Sequence, residues 1–247
     1  MNDYGTTAKA FWWFSTLLGM SALALSLTGV SHQSSANVAL IAMGAVLAAI
    51  AGLFPVRVPG VKESVSAAEI FVFFLLISFG AEAAVVAAAA EAACISWRTS
   101  KRWTSRIASP AMAALAMMIA GTIYVRLAAM IPGDATTALP GRLLLLAAMA
   151  ALYFAIGTLL ISTLLRLKRG DPIRPLAIFA EHVWLALVYA VSAGVAGLLQ
   201  ASFAHLEPAL VVVGSLISAA LLAMLHLYYS LLRRGAQEVR PEILPRP

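Results

Sequence analysis

Charge is scarce in this chain. Only 11% of its 247 residues are Asp, Glu, Lys or Arg, against about 25% in an average soluble domain. Cysteine is scarcer still: the one thiol, Cys94, lies in an apolar segment, which excludes a disulfide framework. The patterns H-E-x-x-H, G-x-S-x-G, P-loop and C-x-x-C do not occur. Their absence lowers an enzyme reading without excluding it, and neither catalytic residue, metal site nor cofactor is expected. Polar sequence long enough to bury a second core is also lacking, because the tail "RRGAQEVRPEILPRP" is short and proline-rich.

What is present is apolar sequence: 62% of residues are hydrophobic, with mean hydropathy +0.92, and they fall in runs split by short polar loops. Runs of about 20 apolar residues fit bilayer-crossing helices. The expected fold is an all-α, polytopic integral membrane bundle with residues 1–9 as N-terminus, 10–232 as one transmembrane domain and 233–247 as tail. The segments read as Ala10–Val30, Ala36–Phe54, Ser66–Trp97, Ala108–Arg126, Pro140–Leu165, Leu176–Phe203 and Pro208–Leu232. Ala10–Val30 is too long for a typical signal-peptide core and follows only Lys9, so an uncleaved first helix is expected.

Ser66–Trp97 would be about 48 Å long as one helix, more than a hydrocarbon core of about 30 Å. Gly80 divides it into arms of 14 and 17 residues, which predicts a tight helical hairpin or re-entrant pair. Counting the hairpin, the chain has about eight helical segments: six full spans plus the short pair, or eight spans. The positive-inside rule discriminates here. With the hairpin and an inside N-terminus, Lys9, Arg57, Lys62, Arg98, Lys101, Arg102, Arg106, Arg166, Lys168, Arg169, Arg174, Arg233, Arg234, Arg240 and Arg246 all lie inside. Arg126 and Arg142 alone lie outside, completing the 17 basic residues. One long helix gives at best 12 against 5. Both termini are therefore expected in the cytoplasm, with the protein multi-pass in the cell inner membrane. "FWWF" at 11–14, Trp97, Trp103, Tyr228 and Tyr229 fall near the same interface, where aromatic belts form.

Few ionisable residues interrupt the spans. Glu82 follows Gly80 at the start of the second arm, where unpaired amides and the helix dipole favour a carboxylate, so Gly80 and Glu82 read as turn and cap. Glu91 lies nine residues further, on the opposite side of the helix, among alanines that permit close helix approach. It faces protein or an internal cavity, for function or only for structure. Glu69, Glu91, Glu181, His182 and His226 all fall in the inner half, roughly 5–9 Å below the boundary by helix rise. They are candidates for a ligand or proton site; the competing reading has them snorkel to the interface and pair with its cations. Ligation of a metal by His182 and His226 is the weakest alternative. His32 and His205 read as loop residues. The loops holding Arg98, Lys101, Arg102 and Arg106, and Arg166, Lys168, Arg169 and Arg174, set topology or bind anionic lipid.

The stretches "FPVRVPG", "SVSAAEIFVFFLLISFGAEAAVVAAAAEA" and "SWRTSKRWTSRIASPAMAALAMMIAGTIYV", continued by "YFAIGTLLISTLL", "KRGDPI" and "EHVWLALVYAVSAGVAGLL", resemble a bacterial multi-helix membrane sensor region. This MASE-type (membrane-associated sensor) region precedes GGDEF, HD-GYP or histidine-kinase output domains. The resemblance spans roughly residues 50–232 and implies an acidic residue opening the first arm (Glu69), a Gly-x-Glu turn (Gly80, Glu82) and an acidic residue in the second arm (Glu91). Ser109-Pro110 departs from the Asn often found there, and no output domain follows Leu232. The chain is more distantly similar to substrate-binding membrane subunits of energy-coupling-factor transporters. Three functions are thus expected in order: a sensory or regulatory module for a small or lipophilic ligand or membrane state, a small-solute transporter or transport subunit, or a structural subunit. The expected partners are the lipid bilayer and a cytoplasmic or membrane partner chain, not nucleic acid.

Overall fold

The computed structural model describes residues 4–54, 56–57, 64–65, 68–131 and 139–203. Seven helices carry nearly all of them: α1 (Thr6–Ser31), α2 (Ser35–Gly52), α3 (Ala68–Phe79), α4 (Ala81–Thr99), α5 (Trp103–Ala128), α6 (Leu139–Arg169) and α7 (Pro175–Phe203). The one addition is a two-residue antiparallel pair, β1 (Val56–Arg57) and β2 (Ser64–Val65), with Val56 opposite Val65. The segment Pro208–Leu232, with His226, and the tail lie outside the described residues.

Among the described residues, five helical stretches are long and apolar enough to cross a membrane: Thr6–Ser31, Ser35–Gly52, Trp103–Ala128, Pro140–Arg169 and Leu185–Ser202. These fit a helical membrane protein, and large exposed apolar side chains such as Phe14, Leu25 and Leu187 are consistent with bilayer contact. Several helices outrun the hydropathy-based segments. α5 begins at Trp103 rather than Ala108, and α6 runs on to Arg169. Hydropathy marks only the part suited to lipid, whereas helical hydrogen bonding continues into polar sequence. Pro110 is carried inside α5, where it removes the bond its amide would have made.

The break within residues 66–97 falls at Gly80. Its amide donates to the Leu76 carbonyl (3.1 Å), the last bond of α3, and its carbonyl accepts from Ala84 (3.3 Å), the first of α4. Joining the helices this way demands φ +91°, ψ −176°, a region essentially reserved for glycine. A Cβ at Gly80 would meet nothing within 4 Å, so a side chain there is opposed by backbone strain alone. Gly80→Ala is expected to cost about 1–3 kcal/mol. An unchanged thermal midpoint in detergent would show that the helices join without that conformation.

α4 is the hub, packed by α1, α2, α3 and α5. Ala83, Ala84, Ala87, Ala88 and Ala89 are all buried. Small residues do the same for α1 against α5: a Cβ on Gly19 would land on the Ala111 carbonyl. In that stripe Thr16 Oγ1 and Ser26 Oγ are buried with no hydrogen-bond partner among the described residues. Size, rather than hydrogen bonding, explains them.

Contacts sort the helix ends into two groups. At one end Arg98 Nη1 donates to the Leu53 carbonyl and Trp12 Nε1 donates to the Thr104 carbonyl (3.1 Å). There too Lys168 Nζ lies 5.0 Å from the Tyr4 ring centroid. This end therefore gathers the start of α1, the ends of α2, α4 and α6, and the start of α5. At the other end the Glu82 carboxylate lies against Gly29 of α1, and Ala81 sits close to Gly121 of α5. The basic residues of the α4–α5 and α6–α7 loops thus share one end of the bundle.

Candidate functional site

Glu69 lies in the first turn of α3 and Glu91 midway along α4. Each is eleven residues from Gly80 along the chain. Where α3 folds back on α4, equal arms of about 16 Å bring both to the same depth. Both are buried, at 6% and 5% exposure, and both line one cavity of about 470 Å³. Its wall comes from α3, α4, α5, α6 and α7, and most of it is apolar, including Ala88, Ala92, Met112 and Phe154. It continues past Ser96 to the exposed Thr99, Ile161 and Leu165, at the basic end.

Two tyrosines complete the inner part. The Tyr189 hydroxyl of α7 donates to the Glu69 carboxylate. Tyr153 of α6 interacts electrostatically with both Glu69 and Glu91. The Tyr153 and Tyr189 ring centroids are 5.8 Å apart, those of Phe154 and Tyr189 5.3 Å, and Phe73 meets Tyr153 edge-on at 6.1 Å. This aromatic cluster braces α3, α6 and α7 around the carboxylates. Glu91 is held from behind by α2, where a Cβ on Gly52 would come within 3.1 Å of its Cγ.

One oxygen stands out. Glu69 Oε2 is buried and has no hydrogen-bond partner among the described residues. A buried polar atom left this way costs about 1–3 kcal/mol, and nearly all such atoms in folded proteins find a donor. A donor supplied by a bound molecule removes that cost. Cavities of 300–1,000 Å³ with apolar walls and a few convergent polar groups are the usual form of small-molecule sites.

The remaining sequence-derived candidates are distributed elsewhere. Gly80 and the exposed Glu82 lie at the opposite end of the bundle from the cavity mouth. Arg106 stacks on Trp97 at 4.7 Å and donates to the Ser100 carbonyl (2.9 Å), while Arg166 donates to that of Pro172 (3.1 Å). Lys101, Arg102, Arg169 and Arg174 are exposed at the same end. Glu181 and His182 belong to α7, but their side chains, like all of His226, lie outside the described residues. Tyr153 and Tyr189 escaped the sequence reading, which sought charge. Their signal was a phenol deep inside an apolar run, away from the interfacial belts where tyrosine usually sits.

No protein-family model, curated protein or solved structure matches the chain.

Proposed function

We propose that the chain is a membrane-embedded sensory or regulatory module whose α3–α7 cavity binds a small ligand and passes its occupancy to a partner chain. The observation that carries this reading is Glu69 Oε2, which has no hydrogen-bond partner among the described residues, in an apolar cavity of about 470 Å³. In the proposed arrangement eight helical segments cross or enter the inner membrane with both termini cytoplasmic. The grouping of basic loops at one end supports that orientation. The cavity mouth then faces the cytoplasm, and ligand binding between α3–α4 and α6–α7 shifts their packing.

A second reading, a small-solute transport subunit, is favoured by the interruption at Gly80, since short broken helices beside a binding site are a transporter feature. Uptake into reconstituted vesicles separates the two: a sensor binds without accumulating solute.

Native mass spectrometry of the protein in lipid nanodiscs tests the ligand site. A bound small molecule is expected on the wild type, with occupancy reduced about tenfold or more in Glu69→Gln, the loss of one hydrogen bond to a charged group. Equal occupancy in both proteins would contradict a role for Glu69.

A further inference from the structure

The proportions of the cavity constrain what fills it. We infer that its ligand is a single-chain amphiphile: one unbranched hydrocarbon chain whose polar head lies at the inner end, a long-chain alcohol in its simplest form. This rests on the cavity being a ligand site and adds the shape and orientation of the occupant.

The cavity is long for its volume. Its wall runs eleven residues along α4, from Ala88 to Thr99, and twelve along α6, from Tyr153 to Leu165. At helix rise these are about 17 and 18 Å. An extended chain advances about 1.2 Å per bond, so this length holds about 14 groups in single file. A methylene is close to a water molecule in size, and the volume of about 470 Å³ holds about 15 such groups at about 30 Å³ each. Length and volume therefore agree on one chain. Two chains abreast would need twice the volume, and a compact body of the same volume would leave much of the length empty.

The two ends differ in chemistry. Glu69, Glu91, Tyr153 and Tyr189 make the inner end polar. A hydrocarbon end placed there would take these groups from water with no hydrogen bond in return, which is costly. A hydroxyl can donate to a carboxylate and accept from a phenol, so it suits that end whichever oxygen it meets. Further along, the wall is apolar, with Ala92, Ile95 and Met112. The Ser96 and Thr99 hydroxyls on the way donate to carbonyls of their own helix, Ala93 (3.0 Å) and Ile95 (2.7 Å), and so add little polarity. At the mouth Ile161 and Leu165 are exposed, and both belong to Pro140–Arg169, a stretch long and apolar enough to cross a membrane. A chain emerging there meets lipid hydrocarbon, so the bilayer is the source of the ligand and its route of entry.

Two isomers test this: 1-dodecanol, a single chain with a terminal hydroxyl, and 6-dodecanol, the same atoms forked into two short arms. Both are titrated against the full chain in phosphatidylcholine nanodiscs, with empty nanodiscs subtracted and affinities referred to the probe concentration in the lipid. 1-Dodecanol is expected to bind at least tenfold more tightly than 6-dodecanol. 1-Octadecanol, whose extra length emerges at the mouth, should match 1-dodecanol within about threefold. In Gly157→Leu, whose side chain enters the channel about 6 Å from Tyr153 along α6, 1-dodecanol should lose at least about 100-fold. The isomers are compared in the wild type, so a folding defect in the variant is not mistaken for the effect. Equal affinities for the isomers, or lost binding of 1-octadecanol, overturn the inference. If both isomers bind alike and both are lost in Gly157→Leu, the ligand site stands although the single chain does not. If no probe responds to Gly157→Leu, both fall.

Discussion

Gly19→Ala is expected to lower the thermal midpoint of the protein in detergent by roughly 6–10 °C, corresponding to about 2–3 kcal/mol in a chain of this size. A single methyl has this effect because of what it meets. The new Cβ would fall on the Ala111 carbonyl and lie 2.9 Å from its Cα, so backbone, not a yielding side chain, must move. α1 would be pushed from α5 where Gly19 meets Ala111, within a buried stretch of α1 that includes Ser15, Thr16 and Ala22. Trp12, at 2% exposure and hydrogen-bonded to Thr104, would shift with it. Gly157→Ala is the internal control, because a Cβ there meets nothing within 4 Å. Helix preference alone would leave the midpoint of Gly157→Ala unchanged or raised, so an equal loss at the two glycines would contradict the α1–α5 approach as the cause.

Gly157→Leu is expected to abolish ligand binding while leaving the fold intact. Gly157 is in α6, on the wall of the cavity, with open space where its side chain would be. Leucine replaces glycine with a better helix former, worth roughly 0.8 kcal/mol in a helix interior. Its isobutyl group enters the volume that a ligand needs beside Tyr153 and Tyr189. A binding loss of at least 100-fold, with a thermal midpoint equal to or above that of the wild type, is expected in titrations with any ligand of this cavity. Lost binding with a lowered midpoint would point instead to misfolding, and unchanged binding to a site elsewhere.

How legible this was in the sequence differs from feature to feature. The helical class follows from apolar runs that cannot be buried any other way, and the break at Gly80 from the mismatch between a 32-residue run and a bilayer. The helix limits were less legible: α1 starts at Thr6 and α5 at Trp103, since hydrogen bonding does not stop where hydropathy does. Glu69 and Glu91 drew notice as carboxylates in apolar sequence. Their meeting depends on equal distance from Gly80, a relation visible only once α3 folds back on α4. Tyr153 and Tyr189 were concealed by chemistry, because phenols are half apolar and do not interrupt a hydrophobic run. Their convergence on Glu69 is a tertiary fact, set by α7 packing on α3 and by Tyr153 of α6 meeting Phe73 of α3, and no local pattern encodes it.

The most direct test of the cavity is photolabelling with an aliphatic alcohol bearing a diazirine beside its hydroxyl, followed by peptide mapping in the wild type and in Gly157→Leu. Adducts are expected on the α3 and α4 peptides containing Glu69 and Glu91, and on the α7 peptide containing Tyr189, with all three lost in Gly157→Leu. Adducts confined to the exposed faces of α1 and α2, or a pattern that Gly157→Leu leaves unchanged, would contradict a ligand site between α3 and α7.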